Sequence, residues 1–240
     1  MHPGPCGSLS IHARLNEEPV GSASFCSTPR VLERIVLPLP RVESDMTLTD
    51  ALWSRRSAYS FACRPLELGS LSSLLRLALG VGRRVDAYGD PQYPLSLAPS
   101  AGGLRSVRPY VIVQRAEGLE LGVYRYDAPA HELERLSQAC EERRLREVFV
   151  QPEFAERAPV VIALVADLET VLRKYTLRHY RTVHVDTGLA VQNLYPVSTA
   201  LRLAGCAVAG FHDSALGRVL GLSPGQIPTL LYVVGHRPGT

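Results

Sequence analysis

The run from Val183 to Phe211, VHVDTGLAVQNLYPVSTALRLAGCAVAGF, limits what this chain can fold into more than any other stretch. Between Val185 and Ala204 only Asp186 and Arg202 carry charge. Leu189, Ala190, Leu194, Val197, Ala200, Leu201 and Ala204 recur at helical spacing, and Val191 and Leu203 widen the stripe. A helix that is apolar nearly all round has to be buried, in a core or between subunits. Gln192, Asn193, Ser198 and Thr199 interrupt it too often for a membrane span. Pro196 removes a backbone donor and predicts a bend. Gly205 is placed to stop the helix. Cys206 to Gly210 reads as a short buried strand, and Gly210 lets the backbone approach something flat. His212-Asp213 open another short helix.

The remainder of the chain supplies a sheet. Arg108–Gln114 and Leu121–Tyr126 read as strands, with a short third at Glu132–Ser137. Pro159–Ala166, PVVIALVA, is a continuous apolar run, hence a central strand. Thr229–Val234 is the last strand. Thr49 caps a short helix through Arg56, SLSSLLRLAL at 70–79 forms a second with Gly80 as its stop, and 139–149 reads as a charged surface helix. Asp167 caps the helix that carries Lys174 and Tyr175. Residues 81–107 read as a long loop, and loops of that length are usually functional or disordered. Strands grouped in the middle, without strict βαβ alternation, predict an α+β domain over 31–240. Residues 1–30 are rich in Gly, Pro and Ser and lack periodicity. They predict a mobile arm, either an irrelevant tail or one that wraps a partner subunit.

Composition excludes several classes. A net charge of +3, with scattered basic residues and no recognition motif, does not argue for nucleic acid. The five cysteines show no CxxC spacing, and no signal-peptide pattern is visible, which predicts a reducing cytoplasm. His179 and His184 lack a carboxylate pair to complete a metal site, so no metal is expected.

Five groups could carry chemistry. Arg55, Arg56 and Ser57 offer two guanidinium groups and a hydroxyl to a phosphate, or are a solvated helix end. Pro99, Ser100, Ala101, Gly102 and Gly103 form a turn that permits close backbone approach. Ala209 and Gly210 offer backbone amides at a small-residue turn, or simply pack tightly. Gly235-His236-Arg237 is a second basic site or a frayed end. Lys174 and Tyr175 place a cation beside a phenol whose ordinary pKa is about 10, and a nearby cation favours the phenolate. Helix neighbours do not face one another, so that pair needs an irregular turn or a site spanning both faces. Otherwise it is a solvent lysine beside a half-buried tyrosine.

RRSAYSF at 55–61, PSAGG at 99–103, KYTLRHYR at 174–181 and the 183–225 segment, with its QNL, Gly-Phe and LGL-x-PG, stand in one order. Together they resemble the nitroreductase-like flavoenzymes, and within them the thiazole/oxazole-forming dehydrogenases of the SagB or McbC type. The resemblance runs from roughly Leu48 to Gly235. It implies a central, mainly antiparallel sheet flanked by helices, and a homodimer with FMN at the subunit interface. It puts Arg55, Arg56, Ser57 and Arg237 on the FMN phosphate and ribityl chain, Pro99–Gly102 and Ala209–Gly210 at the flavin, and Lys174 and Tyr175 in catalysis. Tyr59 stands where the family's motif has a further arginine.

The activity so implied is oxidation of a thiazoline or oxazoline ring in a peptide or carrier-bound intermediate, with oxygen reoxidising FMN. A cyclodehydratase or assembly-line protein is the implied partner. Two alternatives stay open: a general NAD(P)H-dependent nitro- or quinone-reductase on the same scaffold, and a flavin-free scaffold subunit that docks a biosynthetic partner.

Overall fold

In a computed structural model, residues 30–40, 44–136 and 142–239 are described. All but the last residue of the expected N-terminal arm lies outside them. Strand β7 (Val160–Asp167) is buried along its whole length. Val160, Ile162 and Leu164 point into one core cluster, while Val161, Ala163 and Val165 point into another. The apolar run is continuous because both faces of the strand are covered.

Around it stands a seven-stranded sheet in the order β1-β6-β5-β4-β7-β9-β8. The other strands are β1 (Val31–Val36), β4 (Val107–Val113), β5 (Gly122–Asp127), β6 (Glu132–Leu136), β8 (Leu203–Val208) and β9 (Gln226–His236). All neighbouring pairs are antiparallel. Helices α2 (Leu68–Leu79) and α6 (Tyr180–Ala200) cover one face through Leu71, Leu74, Leu75, Ala190, Val191 and Leu194. Helices α3 (Glu142–Val148), α4 (Glu153–Arg157) and α7 (Asp213–Leu220) cover the other. The α+β architecture with a large antiparallel sheet is therefore present.

Several local expectations are corrected. Helix α1 (Leu48–Ser54) is capped by Thr47, not Thr49: Thr47 Oγ1 accepts from the Asp50 amide at 3.1 Å. Asp167 caps α5 (Leu168–Leu172), but that helix ends before Lys174. Helix α6 continues across Pro196 and ends at Ala200, where Arg202 turns the chain with φ 59°. Gly205 is therefore not a helix stop. It lies inside β8, where a Cβ would run into the Tyr232 phenol.

The largest correction concerns 81–107. Most of it is a hairpin, β2 (Val81–Ala87) with β3 (Asp90–Ser96), forming its own two-stranded sheet. Pro91 and Pro94 hide it, because proline argues against a central strand; a free-standing ribbon is all edge and tolerates it. Among the described residues no helix is long and apolar enough to cross a membrane.

Candidate active site

Helix α6 organises the site from two positions. Near its N-terminal end Asp186 is buried, and its carboxylate accepts the Ala101 amide at 3.0 and 3.1 Å and the Ser106 hydroxyl at 3.3 Å. It thus pins the start of the turn that follows Pro99 and Ser100 and, through Ser106, the chain just before β4. Burial raises the Asp186 carboxyl above the usual carboxylate range, and those two hydrogen bonds oppose the rise. In sequence Asp186 looks like an ordinary helix-start charge; the lone acid in an apolar stripe was the available signal.

The pinned turn is a single 3-10 turn, Ala101–Gly103, with Gly102 at φ 62°. A Cβ on Gly102 would sit 2.6 Å from Tyr175 Oη and 2.9 Å from Lys174 Nζ. The positive φ favours glycine there, and a Cβ would have to push aside the tips of those two flexible side chains. Lys174 and Tyr175 lie in an irregular turn after α5, with the amides of both donating to Val171 O at 3.2 and 2.9 Å. This turn lets adjacent side chains converge, which a helix forbids. The Tyr175 ring stacks on His179, with centroids 4.2 Å apart and planes 16° apart. The PSAGG segment and the Lys-Tyr pair are thus brought together within one chain. An open groove of about 750 Å³ runs beside them, lined by Tyr88, Leu95, Leu97, Pro99, Ser100 and Gly102 among others.

Nine residues on, about 14 Å along the helix axis, Tyr195 organises the second cluster. Its hydroxyl accepts the Ala207 amide at 2.9 Å and lies 3.2 Å from Ser57 Oγ. The Arg55 guanidinium sits 5.0 Å above its ring centre. Ser57 also bridges to Gly205 on the edge strand β8. Arg56 is turned away: its guanidinium donates to Trp53 O at 3.0 Å and Arg55 O at 2.7 Å, capping α1. Tyr59 leans on Phe154, with ring centroids 6.0 Å apart. Nothing in the sequence singled out Tyr195 beyond its being an aromatic with a polar tip in a helix of small apolar residues.

Ala209 and Gly210 follow β8 and are exposed; Gly210 O accepts the Val150 amide at 2.9 Å. Arg237 is exposed just beyond β9. The preceding His236 is buried, takes a hydrogen bond from Arg64 at 3.0 Å and lies 2.8 Å from Glu67. Its carbonyl accepts the Ala62 amide, tying the end of β9 to the segment that follows Arg55–Ser57.

Against this geometry, the family model described as the nitroreductase family matches residues 52–236. A Methanocaldococcus jannaschii protein, MJ1384, provisionally named a nitroreductase, is 32% identical over 201 residues, covering 84% of this chain and 96% of that protein. A crystal structure from Ralstonia eutropha JMP134, also provisionally named a nitroreductase, superposes with TM-score 0.71 at 26% identity, covering 89% of this chain and 96% of the other. A chain of the Escherichia coli microcin synthetase McbBCD complex, solved with truncated pro-MccB17 bound, has the same fold, with TM-score 0.63 at 20% identity over 97% of this chain and 84% of that one.

Proposed function

The chain belongs to the nitroreductase family, and on that premise we propose that it is an FMN-dependent dehydrogenase that oxidises a thiazoline or oxazoline ring to the aromatic azole. The observation that carries this reading is the convergence of Lys174 and Tyr175 on Gly102 of the PSAGG turn. A simple nitroreductase has no use for a phenol and an ammonium held together at that turn.

FMN is the cofactor of this family, and the residues present fit it. Arg55 and Ser57 offer cationic and hydrogen-bonding groups suited to a phosphate, with Arg237 on the chain just beyond β9. Gly102 has no Cβ, so the tips of Tyr175, Lys174 and Tyr88 gather against its backbone, and Ala209–Gly210 leave backbone exposed to a flat ring. When bound, FMN supplies the acceptor for a hydride. The protein's residues do the rest. Aromatisation removes one hydride and one proton from the ring, leaving one new double bond. Tyr175 takes the proton from ring carbon; the Lys174 ammonium beside it stabilises the phenolate that must form first. The groove lined by Leu95 and Leu97 gives an apolar surface on which a flat ring can lie.

The substrate is an azoline-bearing peptide or carrier-bound intermediate. The fold shared with a member of a complex solved with truncated pro-MccB17 supports a peptide substrate and a cyclodehydratase or assembly-line partner, by analogy of fold. Proteins of this fold are commonly dimeric. A homodimer is part of the proposal, and it would cover apolar side chains that α1 and α6 leave exposed, Trp53 (84% exposed), Val185 (59%) and Leu189.

A second reading, reduction of nitro compounds or quinones by NAD(P)H, is favoured by the name of the 32%-identical relative. One experiment separates the two. The purified protein should show a flavin absorbance spectrum and release FMN on denaturation. Given a synthetic thiazoline peptide, it should yield a product lighter by two hydrogens. Steady NADPH consumption with a nitroaromatic and no azoline oxidation would replace the proposal with the second reading, and a colourless protein that cannot be reconstituted would leave a scaffold subunit.

A further inference from the structure

Tyr88 belongs to none of the motifs above. It sits at the tip of the β2–β3 hairpin, where Ala87 pairs with Asp90 and only Tyr88-Gly89 turn the chain. Both have positive φ, 55° and 78°. Such two-residue turns favour Asn, Asp or Gly at the first position, and a bulky aromatic there is strained. Burial does not explain the choice, since Tyr88 is 52% exposed. Its surroundings do. Lys174 Nζ donates to Tyr88 Oη at 2.5 Å and lies 4.6 Å from the ring centre. Tyr88 Oη in turn donates to Gly102 O. The Tyr93 ring, 4.9 Å away, buttresses it, and Tyr93 Oη donates to Gly103 O at 3.1 Å.

The geometry points to Tyr88 as a third functional residue of this site, a positioning residue that holds the Lys174 ammonium beside Tyr175. Its part in proton removal rests on the function proposed above. Lys174 is exposed on a flexible four-carbon stem, so without an anchor its charge would spread over many rotamers. The polarity of the hydrogen bonds is consistent. The Tyr88 proton goes to the Gly102 carbonyl, which leaves its oxygen lone pairs to accept from Lys174. One of three ammonium hydrogens is used, and the others remain for Tyr175 and the groove. The titratable groups that face Lys174 are Tyr88 and Tyr93 from the hairpin and Tyr175 from its own turn. The Lys174 ammonium is held above its ordinary pKa, first by the hydrogen bond to Tyr88, against a smaller desolvation effect, and then by Tyr175. Of the 26 lysines and arginines in the chain, Lys174 is the only lysine. That one ammonium lies between two phenols, Tyr88 and Tyr175.

That singularity makes the test direct. Lysine-selective 15N and 13C labelling of the FMN-loaded protein gives one side-chain signal, whose titration reads Lys174 alone. In Tyr88→Phe, which keeps the ring and removes the acceptor, the midpoint of that titration should fall. Azoline oxidation should drop about tenfold, the worth of one charge-assisted hydrogen bond, with FMN content unchanged. In the unsubstituted protein the Lys174 ε-methylene protons should show cross-peaks to the Tyr88 ring. An unchanged midpoint in Tyr88→Phe, or no such cross-peaks, overturns the role. The titration does not depend on turnover. If the protein fails to oxidise azolines yet Tyr88→Phe lowers the Lys174 midpoint, the reaction is reassigned and the anchoring stands.

Discussion

The two ends of α6 are built differently. At the Tyr195 end, Arg55 and Ser57 are fixed by an aromatic ring, a hydroxyl and a backbone bridge to Gly205 on the edge of the sheet. At the Asp186 end, Tyr88, Gly102 and Arg105 all take left-handed φ values, and a buried carboxylate pins the turn. Backbone strain costs roughly 1–3 kcal/mol per residue and persists only where the surroundings enforce it. On the proposed reading the first end holds the ligand and the second, where ionisable groups gather, acts on it. Binding and chemistry should therefore be separable by mutation.

The strongest way to break that comparison is Tyr175→Phe. Azoline oxidation should fall by roughly 10²–10⁴, the range for a positioned acid or base, while FMN content and oligomeric state hold. A rate near that of the unsubstituted protein would move the base to His179 or Tyr180. At the opposite end, Arg55→Ala should weaken FMN about tenfold to a hundredfold, the worth of a truncated charge-assisted bond. Riboflavin, which lacks the phosphate, should lose far less; equal losses measured by flavin fluorescence would mean that Arg55 acts through folding. Tyr195→Phe sharpens the picture, because it removes the hydroxyl near Ser57 but leaves the ring under Arg55. It should weaken FMN only about two- to tenfold, the range for neutral hydrogen bonds, and a loss matching that of Arg55→Ala would show that the hydroxyl, not the cation, carries the grip.

The smallest effect concerns Asp186. Because its folded pKa is raised by burial, the native state holds that proton more tightly than the unfolded chain does. The contribution is therefore favourable at low pH. It is lost as pH rises from the ordinary carboxylate value, about 4, through the raised native one. Melting temperatures across that window should decline in the unsubstituted protein relative to Asp186→Asn. A parallel pair of curves would show that Asp186 does not titrate differently in the two states.

Much of the frame was legible beforehand, for identifiable reasons. The β7 run is apolar on consecutive residues because clusters on both faces need it, and α2 shows its buried stripe at Leu71, Leu74 and Leu75. Asp167 announces its cap, accepting from the Thr170 amide at 3.3 Å. The candidate-site segments could be found in order because each depends on local chemistry: paired guanidinium groups, a double glycine, a Lys-Tyr dipeptide.

Tertiary structure alone decided what those segments do to one another. Lys174 meets Tyr88 across 86 positions and Asp186 meets Ala101 across 85. No periodicity or propensity encodes contacts at such separations, since they form only when the hairpin, the turn carrying Lys174 and α6 come together at Ala101–Gly103. The local patterns determined that this chain would build a buried sheet in an α+β domain and carry paired guanidinium groups and a hydroxyl at 55–57. The long-range closure of the hairpin over Gly102 decided that its single lysine would stand between two tyrosines, because only folding brings Tyr88, Lys174 and the half-buried Tyr175 to one glycine.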